Sequence, residues 1–233
     1  MKTYALDQVP SRRRFLQMGI TGTAVGLLAG GLELATPIGT WAQSKLSPDE
    51  ALKQLLDGNK RFVSGRLTAQ EEDLSILKQH TVEKQEPFAA VLSCADSRVP
   101  VELAFDQSIG HIFVTRVAGN VINPEIIGSL EFGAAVLGTK VILVMGHSGC
   151  GAVKAAIQGK GVPGQISALF PHIQPAIDQA GPDLVAATKA NAKIQATLLR
   201  ESSTVISEMA KAGTVKVVAG YYDLGSGAVT LVD

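Results

Sequence analysis

Two short runs, FAAVLS at residues 88–93 and KVILVMG at 140–146, are apolar almost without interruption. A strand with one wet face alternates apolar and polar side chains; a strand covered on both faces does not. These runs therefore predict strands in the interior of a sheet, with helices on each side. HIFVTR at 111–116 and VKVVAGYYDL at 215–224 read as further strands. Residues 46–65 open a helix with Ser47 as cap, Pro48 in the first turn, and Asp49 and Glu50 at the positive end of the dipole. Leu52, Leu55, Leu56 and Phe62 give that helix one apolar face. Residues 71–84, 124–137, 149–157, 165–180 and 183–212 are helical by pattern, the last ended by Gly213. GSG at 225–227 turns into AVTLV at 228–232 as a hairpin. The alternation predicts an α/β fold: a mainly parallel central sheet flanked by helices, with a C-terminal antiparallel edge hairpin.

With 233 residues, 46% of them hydrophobic and 18% charged, the chain has material for one substantial core. Its net charge is zero and no basic stripe marks a nucleic-acid surface. The N-terminus stands apart from that core. SRRRFLQ at 11–17 precedes the glycine-rich, mildly apolar stretch 18–32, and small residues stand at Thr40 and Ala42. This resembles a twin-arginine export signal spanning 1–42, with the globular domain at 43–233. The alternative is an N-terminal membrane helix, but 18–32 is short against the roughly 20 apolar residues of a span. The signal implies a passing partnership with the twin-arginine translocase, which exports folded chains, and a destination in the periplasm or a thylakoid lumen. It also puts Cys94 and Cys150 into an oxidising compartment, where two cysteines suit one disulfide.

Both buried runs end in chemistry. VLSCADSR sets Cys94, Asp96 and Arg98 just past the first, and VMGHSGCG sets His147 and Cys150 just past the second. In open parallel sheets, ligands gather beyond the carboxyl ends of strands. Cys94, Asp96, His147 and Cys150 converge there if the two strands are neighbours. Two thiolates, an imidazole and an optional carboxylate form a tetrahedral zinc set, and catalytic zinc keeps one position open. A disulfide accounts for neither His147 nor the Asp-x-Arg pair, so the metal reading is preferred. The bland reading of Asp96 and Arg98 is a salt bridge bracing the turn. His80, His111 and His172 have no second ligand nearby and read as solvated or structural.

From about residue 46 to 233 the chain resembles the β-class carbonic anhydrases, on CADSRVP at 94–100, RVAGNVI at 116–122 with GSLEFGAAVLG at 128–138, and VILVMGHSGCGAV at 141–153. The resemblance implies zinc held by Cys94, His147 and Cys150, with Asp96 either filling the fourth position or releasing it to water while paired with Arg98. It implies reversible hydration of CO2 to bicarbonate and a proton by a zinc-bound hydroxide, the metal lowering the pKa of its water to about 7. Asp96 would orient the hydroxide, and Arg98 would hold Asp96 off the metal through a bidentate pair.

Position by position, the resemblance also places Gln85, Phe113, Ala118, Phe132 and the backbone N–H of Gly151 around the substrate, though Phe113 and Phe132 read equally as plain core. Phe132 stands where tyrosine is common, Ala118 where some members carry valine, and Val117 where asparagine is frequent. The family pairs its subunits, which implies a homodimer or higher homo-oligomer, with the helix at 47–64 wrapping a partner because its apolar face has little else to cover. Two other readings use the same residues. One is hydrolysis of a CO2 analogue such as carbonyl sulfide or carbon disulfide. The other is a catalytically silent zinc- or bicarbonate-binding protein, against which the intact Asp96 and Arg98 speak.

Overall fold

The computed structural model describes residues 44–69, 78, 81–82 and 84–232. The arginine-rich N-terminal segment, His80 and most of the helix expected at 71–84 lie outside the described residues. Five strands form one sheet: β1 (Ala89–Ser93), β2 (Ile112–Arg116), β3 (Val141–His147), β4 (Lys216–Tyr222) and β5 (Val229–Val232). Their order is β2-β1-β3-β4-β5; the first four run parallel, and β5 pairs antiparallel to β4 as the edge hairpin. The helices are α1 (Pro48–Val63), α2 (Val101–Ala104), α3 (Pro124–Glu131), α4 (Gly151–Gln158), α5 (Phe170–Ala180), α6 (Leu184–Ser202) and α7 (Thr204–Lys211).

The unbroken apolar runs now have their cause. Every residue of β1 and β3 is buried. Ala89, Val91, Leu143 and Met145 face the layer that holds α1, whereas Ala90, Leu92, Ile142 and Val144 face the layer of α6 and α7. Strand side chains alternate between faces, so a sheet covered twice needs apolar residues at every position. The order also locates the functional end. The chain leaves β1 for β2 on one side and returns to β3 on the other, so the sense of winding reverses between β1 and β3. Ligand crevices open at the carboxyl ends of such a pair. Ser93 lies beside Met145, which brings Cys94 and His147 to the same rim.

α1 begins as its sequence dictates. Ser47 Oγ accepts the Glu50 N–H at 3.3 Å, and the Glu50 carboxylate accepts the Ser47 N–H at 2.8 Å, closing a capping box. Its apolar face has more to cover than the little expected: Ala51, Leu52 and Leu55 are buried with Phe88, Phe105 and Leu143 of the same chain. Gly58 makes this possible, since a Cβ there would lie 1.8 Å from the Phe105 carbonyl oxygen. Next to it, buried Asn59 donates from Nδ2 to the carbonyls of Ala104 and Gly227, both at 2.9 Å, and accepts the Val229 N–H at 2.8 Å.

The pattern at 183–212 predicted one helix; the structure has two, α6 and α7, broken at Ser203. That residue is extended (φ −104°, ψ 111°), accepts the Ile206 N–H on its Oγ at 3.0 Å and donates to Glu131 at 2.6 Å. The apolar period runs through the break because α7 covers the same face of the sheet. His147, expected just past its strand, is instead the last residue of β3.

Candidate metal centre

The side chains at the rim come from the ends of two neighbouring strands and the turns that follow them. β1 ends at Ser93, and Cys94 is the next residue. β3 ends at His147, a tight turn follows, and Cys150 stands as the N-cap of α4. The three meet: one donor atom each from Cys94, His147 and Cys150, all within 4.8 Å of one another. His147 and Cys150 are fully buried and Cys94 is 4% exposed. Both cysteines are free thiols, so the disulfide reading is not what the structure contains.

His147 shows the strongest unmet demand. Its Nδ1 lies 3.0 Å from the Ser148 carbonyl, which can only accept; Nδ1 therefore carries the proton and Nε2 presents a lone pair. Among the described residues nothing satisfies that buried Nε2. Leaving such a group unpaired costs roughly 1–3 kcal/mol. A bare imidazole nitrogen between two thiols is a nitrogen–sulfur donor set of the kind zinc takes, with the outer nitrogen fixed by a carbonyl.

The thiols are polarised against each other. The adjoining Cys150, with His147 and the Gly119 N–H 3.3 Å from its sulfur, pulls the Cys94 pKa down against the opposing effect of burial. The same pairing, with burial, pushes Cys150 up, although the Val153 and Ala152 N–H groups of α4 pull the other way. The first proton leaves easily and the second reluctantly, and a divalent cation favours loss of both. Gly119 reaches Cys94 because its φ is +76°; a Cβ would also sit 3.0 Å from Ile173. Asn191 on α6 holds this turn by donating to the Gly119 carbonyl at 2.8 Å.

Asp96 stands beside the triad, with Oδ2 3.8 Å from His147 Nε2. Arg98 occupies both its oxygens: the Arg98 N–H and Nε donate to Oδ1 at 2.9 and 3.0 Å, and Nη2 donates to Oδ2 at 2.7 Å. The Arg98 guanidinium holds the Asp96 carboxyl well below the usual carboxylate range. Arg98 Nη2 also reaches the Gly149 carbonyl at 3.4 Å, so this side chain touches both loops. A further arginine, which motif reasoning passed over, enters from β2. Arg116 Nε donates to the Cys94 carbonyl at 3.0 Å, and its Nη2 donates to the Asp96 carbonyl.

The expected pocket residues divide into two groups. Ala118 begins the turn that presents Gly119 to Cys94, and Gly151 opens α4 directly after Cys150. Gln85, Phe113 and Phe132 are not brought to the triad within one chain. Phe113 lies beside Ala90, four residues back along β1 from Cys94, and its ring is 6.4 Å from that of Phe132. Gln85 borders a hollow with Ile109, Gly110 and Ile112 at the amino end of β2. Phe132 is 45% exposed, so it is not plain core in a single chain.

Comparison with known proteins agrees with this arrangement. The family model for carbonic anhydrase matches residues 89–229. A carbonic anhydrase of Mycolicibacterium smegmatis is 36% identical over 194 residues, covering 79% of this chain and 93% of that protein. Carbonic anhydrase 2 of Mycobacterium tuberculosis is 32% identical over 195 residues, covering 80% and 94%. Among solved structures, the β-carbonic anhydrase CafA of Aspergillus fumigatus superposes with a TM-score of 0.64 at 25% identity, over 78% of this chain and 90% of that one. A tetrameric β-carbonic anhydrase of Sordaria macrospora shares the fold at the same TM-score and 18% identity, over 78% and 97%.

Proposed function

The chain belongs to the β-class carbonic anhydrase family, and we propose that it catalyses the reversible hydration of CO2 to bicarbonate and a proton at a zinc site formed by Cys94, His147 and Cys150. The observation that carries this reading is the buried, unpartnered Nε2 of His147 between two free thiols. Zinc held there would supply a Lewis acid that brings the pKa of a coordinated water to about 7. The protein's own groups do the rest. Cys94 and Cys150, as thiolates, match the charge of a divalent cation, and the Ser148 carbonyl keeps His147 in the tautomer that offers Nε2. Asp96, ionised by its bond to Arg98, accepts a hydrogen bond from the attacking water and turns the oxygen lone pair toward the carbon of CO2. Arg98 keeps that carboxylate from swinging into the ligand set. The new C–O bond yields bicarbonate, and the proton leaves to solvent.

Gln85, Phe113 and Phe132 stand away from the triad of their own chain, so a substrate-lining role for them requires a second copy. We read the protein as a homodimer or a larger homo-oligomer on that ground; the Sordaria macrospora relative of the same fold is tetrameric. The arginines of SRRRFLQ support export of the folded chain by the twin-arginine route to the periplasm or a thylakoid lumen. Replacing Arg12 and Arg13 by lysine, with fractionation of the cells, tests this: retention inside supports it, and unchanged export excludes it.

The enzymatic reading is tested on one purified sample by zinc content per chain and stopped-flow CO2 hydration, with Cys150→Ser alongside. About one zinc per chain and fast hydration, both lost in the variant, support the proposal. Zinc bound with hydration at background overturns it, and assay of carbonyl sulfide on the same sample then shows whether a CO2 analogue is the substrate.

A further inference from the structure

We infer that Arg116 is a positioning residue that hangs the loop carrying Cys94 and Asp96 from the edge of the sheet; the inference rests on the metal reading of the triad. Arg116 is the last residue of β2 and lies beside Ser93, the last residue of β1. Past this point the ladder gives out: the Val117 N–H still donates to the Ser93 carbonyl at 3.2 Å, and residues 94–98 then run without a neighbouring strand. The Arg116 guanidinium continues the connection in its place. Nε takes the Cys94 carbonyl and Nη2 takes the Asp96 carbonyl, so one planar fork grips the peptide that follows Cys94 and the peptide that follows Asp96. Arg116 is exposed, and among the described residues its side-chain hydrogen bonds go to those two carbonyls.

The other restraints on the loop do not duplicate this one. The Asp96 and Arg98 bonds are internal to the loop: they join the carboxylate to Arg98, not to the sheet. Val99 N–H donates to the Asp96 carbonyl at 3.1 Å, also within the loop. The tie from Arg98 to Gly149 is long, at 3.4 Å. The Gly119 N–H holds the Cys94 sulfur but nothing of Asp96. The Cys94 carbonyl also accepts the Ser93 hydroxyl, at 3.4 Å; among the described residues, the Arg116 side chain is the one that ties both carbonyls to β2, and with them the directions in which a thiol and a carboxylate leave the chain. Those two groups come from the loop after β1, whereas His147 ends β3 and Cys150 caps α4. Agreement between the two halves of the site therefore depends on a side chain that touches neither substrate nor metal.

Outer-shell partners of metal ligands typically change affinity or activity by about 10–100-fold when removed. The test uses wild-type holoenzyme, Arg116→Ala and Arg116→Lys. One readout is the rate of zinc transfer to a chelator; the other is the thiolate charge-transfer band of the cobalt-substituted enzymes. Arg116→Ala is expected to release zinc about 10–100-fold faster, with a shifted cobalt band and an unchanged far-ultraviolet circular dichroism spectrum. Arg116→Lys, which can keep one of the two bonds, is expected to fall between. Release and cobalt band both equal to wild type in Arg116→Ala overturn the positioning role and leave the metal site standing. A wild-type chain that takes up neither zinc nor cobalt overturns both. If Arg116→Ala does not fold, Arg116→Lys and Arg116→Gln decide by the same two readouts.

Discussion

Asp96 and Arg98 are joined by three hydrogen bonds within a span of three residues, at 2.7, 2.9 and 3.0 Å, with the carboxylate 16% and the guanidinium 57% exposed. In the proposed mechanism this pairing leaves Asp96 Oδ2, 3.8 Å from His147 Nε2, to accept from the attacking water and keeps the carboxylate out of the ligand set. Arg98→Ala removes the restraint without touching a thiol or the imidazole. Its zinc content should equal wild type, while kcat falls by about 100-fold or more, the scale of losing one oriented electrostatic contact. Metal analysis and stopped-flow hydration of one preparation check both halves. Wild-type turnover at pH 8 would remove Arg98 from the mechanism.

Asp106 is buried at a left-handed backbone position, φ +48°. Burial alone would raise its pKa, but the Ala69 N–H, the Arg61 guanidinium and the Thr68 hydroxyl and N–H outweigh that and lower it. The folded carboxyl thus titrates below the unfolded one, about 3.9. In the interval between them the unfolded chain binds more protons, so this contribution is complete above about pH 5 and fades as the pH falls through the folded pKa. Asp106→Asn should cost about 1.5–3 kcal/mol at pH 7, the range for hydrogen bonds to a charged group. Urea midpoints of wild type and variant should converge as the pH is lowered toward 3. Protonation of the metal ligands is common to both and cancels in the difference.

Asn59 joins three parts of the chain, namely α1, the end of α2 and the turn before β5, through bonds to Ala104, Gly227 and Val229. Asn59→Leu strands two buried carbonyls and an N–H. It should destabilise the fold by about 2–4 kcal/mol, seen as a drop of about 5–15 °C in Tm. Residual activity measured well below the lowered Tm should match wild type, because none of these bonds reaches the triad.

The parts of this structure legible in advance share a cause. β1 and β3 announce themselves because they are covered on both faces and so run almost unbroken in apolar residues, and Cys94, His147 and Cys150 announce themselves because they stand at or just past the ends of those strands. Ser203 did not, since serine interrupts no hydrophobic period; its role depends on Glu131, 72 residues away. Asn59 reads in a sequence as a polar residue on the wet side of a helix, and only the approach of α1 allowed by Gly58 buries it. Arg116 ends a strand as arginines often do; what it grips is set by the register of β2 on β1. Gln85, Phe113 and Phe132 came from family likeness alone, and a single chain places them away from the triad.

The enclosure of the triad has a consequence for timing. His147 and Cys150 expose no surface and Cys94 only 4%, so all three side chains are enclosed by the protein around them. In the zinc reading, exchange of a held ion would wait on a local opening of the backbone that carries these side chains, and such openings are rare for well-packed backbone. A cation taken up as the chain closes would then be slow to leave. For a protein exported already folded, as proposed for this one, the ion supply of the compartment of synthesis would set its metal content, while the compartment of work would contribute only the substrate.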